Sequence, residues 1–562
     1  MNFELPRSSF VPFPVTRIAA PRLLWTNPSI VQEWVQPTTF WCVPHPGDDP
    51  SAFGAEQRPM FADRYGGKGV GANGGSGRSA VDASLQVKGV GRTPLVGQSS
   101  DPEYSHGGMT LSEAVREAIW SEIYAGTTPF GSVKSLAIVA TGTKTYLESD
   151  RRSKSATRVL LLRERAIRPA HFMRAPNFSP EPEPGLHQAR ADVVRTRDSV
   201  RALVECVDKL RLESCTATTL MDVLLDAVLR FAAQIAATRA KRIPHGSLNC
   251  SNIAMDGRLI DFGTATSLSD FGPAMTSVGK FPFWREDLAL LPSIRNLVFS
   301  FGRYAGGKMG REVVHGEQHL VETFSRALED RTAVEMVKLT GLTERQASAI
   351  PLSCRAQFAA VAEGITALRG GAPFLLEEMP TSMGGAAHLP TVLALLACSS
   401  SHQAAAGSLA ALGLSPGQTS SLVDSYARLR PADPSAQGSS AFHPWDQAEP
   451  VSRSWRALNA LRLSLPHRRL HRLQLARDIT ADLQQGGTDW QRFIDDRATA
   501  GVRSLADTQS VDAQVLADAI ASIRQAGSEG GAASTGPAAW RATVQVAREW
   551  LEKGRLPAGF PS

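Results

Sequence analysis

The stretch IPHGSLNCSNIAMDGRLIDFGTA, residues 243–265, decides the reading of this chain. It carries short strand and loop signals between longer helical patterns. Asp256-Gly257 is a tight-turn dipeptide, so the segment folds back on itself there. That brings Asn252 and Asp261, nine residues apart, to one mouth. An ordinary hairpin accounts for the turn alone. It does not account for His245-Gly246, Asn252, Asp256-Gly257 and Ile260-Asp261-Phe262-Gly263 in that order.

Protein kinases use a related layout. Their catalytic loop ends in an Asn and a DFG triplet follows a short hairpin. The amide oxygen and the carboxylate hold Mg²⁺ against nucleotide phosphates. Upstream, Lys88 stands on the short strand pattern LQVKGVGRTP after a Gly-rich loop. A lysine in that place suits a phosphate contact and needs an acid from a nearby helix to hold it. The helix LSEAVREAIWSE supplies one, with Thr110 or Ser112 as its N-cap. Glu117 is the natural partner, with Glu113 and Glu122 as alternatives on the same helix. The Gly-rich segment 66–77 offers backbone N–H groups to phosphates, and Arg78 beside it adds a cation suited to bidentate binding.

Working outward, the 562 residues exceed one ordinary core. With 43% apolar and 20% charged residues the composition is that of a globular protein. A net charge of +6 over this length is a mild excess that argues for phosphate ligands and not for nucleic acid. Six cysteines without CxxC or zinc spacing point to a reducing, cytoplasmic setting. No apolar run approaches the roughly 20 residues needed to cross a bilayer, so no membrane role is expected. Four regions follow from the patterning: an extended Pro- and aromatic-rich arm, 1–60; a β-rich nucleotide-binding lobe with one key helix, 61–180; a mostly helical lobe carrying the 245–263 loop, 181–400; and a helical region with Ala/Ser/Gly/Pro-rich linkers, 401–562. The fold class expected is α+β, a protein-kinase-like two-lobed fold with a mostly helical C-terminal extension.

The pieces in this order resemble the selenoprotein O family. The matching stretches are GGSGRSA (74–80), LQVKGVGRTP (85–94), the helix at 111–122, SLAIVATGT (135–143), RVLLLRERAIRPAHFMRAPNF (158–178) and HGSLNCSN to IDFG (245–263). The resemblance implies a kinase-like fold and a protein adenylyltransferase, which moves AMP from ATP to Ser, Thr or Tyr hydroxyls of proteins. It implies ATP and Mg²⁺ (or Mn²⁺) as cofactors, a protein substrate as partner and a monomer. Carried over by residue, Gly75, Gly77, Arg78 and Lys88 touch the nucleotide, Glu117 pairs with Lys88, and Asn252 and Asp261 hold the metal. Arg174 matches one of two phosphate-cradling arginines, and the other falls at Arg163 or Arg165. Two positions depart from the family. Its proposed base, an Asp before the metal-binding Asn, is Ser251 here, and Ser247 stands at the kinase base position. The family's loop Asp-Gly is His106-Gly107. A nucleotide-binding pseudoenzyme or scaffold, or a kinase acting on a protein or small metabolite, is therefore the alternative.

Overall fold

The computed structural model describes residues 3–30, 40–82, 85–100, 105–149, 152–180, 185–214, 219–268, 271–272, 274–277, 279–367, 374–376, 389–399, 401–429, 459–460, 463 and 470–505. It is a mixed α+β structure. An antiparallel sheet of eight strands is built from β1 (Phe10–Ile18), β2 (Arg22–Thr26), β3 (Trp41–Cys42), β4 (Phe53–Asp63), β5 (Ser79–Asp82), β6 (Leu85–Lys88), β7 (Ser135–Ser149) and β8 (Arg152–Glu164). Their order across the sheet is β2-β7-β8-β6-β5-β4-β1-β3. The Pro-rich N-terminal segment is extended as read, and its strands pair into this sheet: β1 runs against β4 and β2 against β7.

Helix α1 (Leu111–Thr127) lies against the sheet. Thr110 caps it, accepting from Glu113 N while the Glu113 carboxylate accepts from Thr110 N. This reciprocal cap satisfies donors that a helix start otherwise leaves open. Ala114, Val115, Ala118, Ile119 and Ile123 form its buried stripe, as the spacing predicts. Downstream come α2 (Gly185–Ser214) and α3 (Leu220–Ala240), then the 243–265 segment, a 3₁₀ segment Phe283–Ala289, α4 (Leu291–Tyr304), α5 (Gly307–His315) and α6 (Glu317–Lys338). The Ala/Ser/Gly/Pro-rich stretch read as linker carries two helices, His402–Ala411 and Pro416–Ala427, where small-residue content permits packing as well as looseness. The similar stretch at 527–537 lies outside the described residues.

Among the described residues two large apolar clusters form the interior, with a small one of Val133, Ala166, Ala254 and Ile260 beside them. The larger joins the sheet, α1, the 243–265 segment, α3–α6 and the C-terminal helices Arg472–Gln485 and Trp490–Leu505. The smaller gathers Leu268, Phe283, Val337, Phe358, Leu396 and Tyr426 with their neighbours. The last helix reaches back across the chain: Gln491 bonds both N and O of Thr26, at 2.9 and 2.8 Å, and Asp495 accepts from Trp25 Nε1 at 2.9 Å. Gly501 lets this helix close on Ile123 of α1, because a Cβ there would strike that side chain. The C-terminal region thus braces the helix that carries Glu117. No helix among the described residues is long and apolar enough to cross a membrane.

Candidate active site

The hairpin read from Asp256-Gly257 is present. Ala254 N donates to Arg258 O at 2.8 Å and Ile260 N to Asn252 O at 3.1 Å, which sets Asn252 and the residue before Asp261 opposite each other. Gly257 takes φ +89, and a Cβ there would press on Phe130 and Arg230. Helix α1 anchors the far end. Tyr124 donates to Ile243 O at 3.0 Å and its ring lies 5.1 Å from that of Phe262. Arg116 Nη1 donates to Gly263 O at 3.2 Å. Asp261 itself adopts φ +71, a left-handed backbone that Asp tolerates better than most residues.

Strand pleating puts Gln86 and Lys88 on one face of β6, with Leu85 and Val87 on the other. Lys88 is 1% exposed and its Nζ donates to Glu117 Oε1 and, at 2.6 Å, to Asp261 Oδ1. Glu117 is the partner among the three acids of α1: Glu113 is used by the cap and by Arg78 at 3.2 Å, and Glu122 accepts from Asn27 at 2.6 Å. Arg163 Nη1 lies 3.5 Å from Glu117 Oε2. Burial pushes the Glu117 carboxyl up, against the pull of Lys88. Burial also acts to raise Asp261, but Lys88, Arg163 and Arg78 outweigh it and hold that carboxyl well below its usual range. Asp261, whose side chain is 36% exposed, is the anionic group of the cluster that still faces solvent. Glu113 is held at about 2: burial opposes this, and Arg78 with the Thr110 N–H overcomes it.

The loop before Asn252 is neutral. Asn252 Nδ2 donates to Ser247 O at 2.9 Å, which aims the amide and leaves Oδ1 as its acceptor. Ser251 is 4% exposed, and its hydroxyl donates to Asn249 Oδ1 at 2.6 Å. The turn Gly67-Lys68-Gly69 lies directly on this loop, so close that a Cβ on Gly69 would meet Asn249 Oδ1 and Ser251 Oγ. Burial lowers the basicity of His245, whose Nε2 faces Ile260 O at 3.0 Å. The Glu286 carboxylate accepts from His245 N at 3.1 Å and from Gly246 N at 2.6 Å, fixing the loop from below. Burial raises Glu286 to about 7, although both N–H groups and Arg239 pull the other way.

The other expected residues fall around this centre. Gly75 and Gly77 sit on the turn before β5, where a Cβ on Gly75 would strike Asp63 O and one on Gly77 would touch Val96. Gly107 closes on Gly91 at φ +73, and its O accepts from Gly91 N at 3.0 Å. His106 Nδ1 accepts from Gly108 N at 3.0 Å and lies 3.2 Å from Thr145 Oγ1, so that nitrogen is occupied. Arg165 is exposed and stacks on Phe10, 5.2 Å from its centroid, whereas Arg163 is buried in the cluster. Arg174 is half-exposed and reaches Asp192 at 3.8 Å. Arg168 escaped the sequence reading. It is 2% exposed, donates to Ser251 O at 3.0 Å and to Gln86 Oε1 at 3.1 Å, and lies over the Tyr65 ring. Among the described residues no group of three or more His, Cys, Asp or Glu is gathered as for a metal ion.

A lysine clasped by a helix acid and a hairpin Asp, with an Asn at the opposite strand end, is the arrangement the comparisons bear on. The chain is 30% identical over 194 residues to protein nucleotidyltransferase YdiU of Brevibacillus brevis, covering 34% of each chain. It is 26% identical over 274 residues to the protein of that name from Rhodopseudomonas palustris, covering 48% of this chain and 47% of the relative. With the Klebsiella pneumoniae protein of that name identity is 25% over 354 residues, 58% of this chain and 67% of the relative. The chain is similar to the selenoprotein O family. The matches span from about a third to two thirds of these relatives' length. No family model matches the chain.

Proposed function

We propose that the chain is an ATP- and Mg²⁺-dependent nucleotidyltransferase of kinase-like fold that moves AMP onto Ser, Thr or Tyr hydroxyls of a protein. The observation that carries this reading is the convergence of Lys88, Glu117, Arg163 and Asp261 beside the hairpin end that bears Asn252. The names of the relatives support nucleotidyl transfer. Mg²⁺ is commonly bound by one or two carboxylates together with substrate phosphates and waters. Asn252 Oδ1 and the Asp261 carboxylate are hard oxygen donors of that kind and fit the ion, with Mn²⁺ as a substitute. Bound there, the ion neutralises phosphate charge.

The chain's own residues supply the rest. Lys88, aimed by Glu117 and Asp261, offers a cation to a phosphate. Arg78 and Arg163 add positive potential at the same place, and Gly75 and Gly77 allow backbone to approach the nucleotide. In the transfer, the acceptor oxygen forms a bond to the α-phosphorus, the bond from that phosphorus to the bridging oxygen breaks, and pyrophosphate leaves. The acceptor's proton passes to solvent or to the departing pyrophosphate, since Ser251 spends its hydroxyl on Asn249. A base contributes about 10²–10⁴-fold, so its absence slows the reaction without removing the positioning and electrostatic contributions.

The test is incubation of the protein with Mg-ATP labelled separately on the α- and γ-phosphates. Protein-bound α label is the expected result. Transfer of γ label alone replaces this reading with a kinase. A second reading, a nucleotide-binding pseudoenzyme, is favoured by Ser251 and predicts ATP binding with neither label transferred.

A further inference from the structure

Gln86 is a 2% exposed amide in the middle of the charged cluster, and its side chain bonds Arg163, Arg168 and Asp63, all charged residues. It stands directly opposite Arg163 in the β6–β8 pairing. Its Oε1 accepts from Arg163 Nε at 2.8 Å and from Arg168 Nη2 at 3.1 Å. Its Nε2 donates to Asp63 Oδ2 at 2.9 Å. Asp63 Oδ1 in turn faces His171 Nε2 at 3.0 Å. Arg168 N donates to His171 Nδ1 at 2.9 Å, so the ring proton sits on Nε2 and points at Asp63. Burial favours this neutral imidazole. Gln86, Asp63, His171 and Arg168 therefore close a ring of hydrogen bonds, and Arg163 hangs from its amide oxygen.

Two buried guanidiniums that share one acceptor repel each other, and Arg168 adds to burial in lowering the Arg163 guanidinium, against the pull of Glu117. A carboxylate at position 86 would neutralise them; an apolar side chain would release them. A neutral amide does neither. It fixes both planes and leaves their charge to act on a ligand. Through Arg168 the same ring reaches Ser251 O, the residue before Asn252, and through Arg163 it reaches Glu117.

We infer that Gln86 is a positioning residue for nucleotide: it holds Arg163 and Arg168 in the register at which their charge serves a polyphosphate bound beside Lys88 and Asp261. The inference rests on the nucleotide-binding reading above. Its test is Mg-ATP binding by calorimetry to the full chain, comparing the unsubstituted protein with Gln86→Leu and Gln86→Glu. Gln86→Leu removes the shared acceptor and is expected to weaken binding about 10- to 100-fold, the scale of hydrogen bonds to charged groups. Gln86→Glu keeps an acceptor for both arginines but loses the N–H that reaches Asp63 Oδ2; it is expected to bind more weakly, by less than Gln86→Leu does. A urea double-mutant cycle of Gln86→Leu with Arg168→Met, run without nucleotide, reports whether the amide holds Arg168 in the free protein. Coupling in the cycle together with weakened binding supports the inference. Binding by Gln86→Leu within about twofold of the unsubstituted protein, or no coupling in the cycle, overturns it. Failure of the unsubstituted protein to bind Mg-ATP is a separate outcome, and it overturns the nucleotide reading and the role of Gln86 with it.

Discussion

The two sides of the site are built on opposite terms. On the sheet side, Lys88, Glu117, Arg163 and Arg168 are buried charges, each held by a countercharge or an amide. On the loop side, Ser247, Asn249, Ser251 and Asn252 are neutral groups bonded to one another. On the function proposed above, the charged side handles phosphate, because fixed charges with little freedom to relax stabilise developing charge without reorganisation. The neutral side places an amide oxygen and supplies no proton acceptor. Asp261 belongs to both: its backbone ends the loop hairpin and its carboxylate takes the Lys88 ammonium. The difference teaches that, for the function proposed, the charges that would bind and position a nucleotide are built independently of any general base.

The comparison breaks most visibly if the buried charges are not the stiff side. Lys88→Ala leaves Glu117 buried with Arg163 alone, and removing one partner of a buried pair costs about 3–5 kcal/mol. A loss near the lower end of that range is expected in urea unfolding at neutral pH, because Arg163 remains 3.5 Å away. A loss under about 1 kcal/mol means that the pair is not a structural element of the fold.

Glu286 sharpens the loop side. Its carboxyl rises to about 7 in the folded protein from an ordinary 4.5. A raised carboxyl binds its proton more tightly when folded, so its contribution is full below about pH 4.5 and is lost as the pH climbs through 7. Glu286→Gln lacks this titration and gives up one of two backbone acceptors. It is expected to be less stable than the unsubstituted protein by about 1–2 kcal/mol at pH 5. The gap narrows by pH 8, as read by thermal or urea unfolding across that range. A gap that widens with pH contradicts the assignment.

Ser251→Ala is expected to do least. It deletes one hydroxyl donor to Asn249 in a site closed by Gly69, for a stability change of about 1 kcal/mol or less. A change of several kcal/mol places the hydroxyl in a larger role than holding Asn249.

Much of the charged side was legible because its signals are local. The helix and Glu117 as the partner of Lys88 come from local spacing, whereas Glu113 drops out only in the fold, where it closes the Thr110 cap and takes Arg78. The alternation of Leu85 and Val87 marks the strand that carries Lys88, and the Asp256-Gly257 turn sets the hairpin. Arg168, Gln86, His171 and Asp63 were not legible. Strand pairing across the sheet brings them together, and no short pattern in the chain marks it. Spacing alone also left Arg163 and Arg165 undecided. Residues two apart share a face within a strand, but β8 ends at Glu164, and the chain beyond that end takes Arg165 to Phe10 while Arg163 stays with Glu117. Glu286 lies 41 residues beyond His245 and is joined to it only by the fold. At Ser251 the residue type was plain, but the commitment of its hydroxyl to Asn249 depends on the loop's closed shape.

The central claim is that transfer depends on the Asp261 centre and not on a base at position 251. The most direct measurement is the rate of α-labelled AMP transfer to protein at saturating Mg-ATP, taken side by side for the unsubstituted chain, Asp261→Ala and Ser251→Ala. The account predicts a loss of at least about 100-fold in Asp261→Ala, on the scale of removing a transition-state electrostatic group, and a change within about threefold in Ser251→Ala. Transfer that survives in Asp261→Ala, or that disappears in Ser251→Ala, contradicts it.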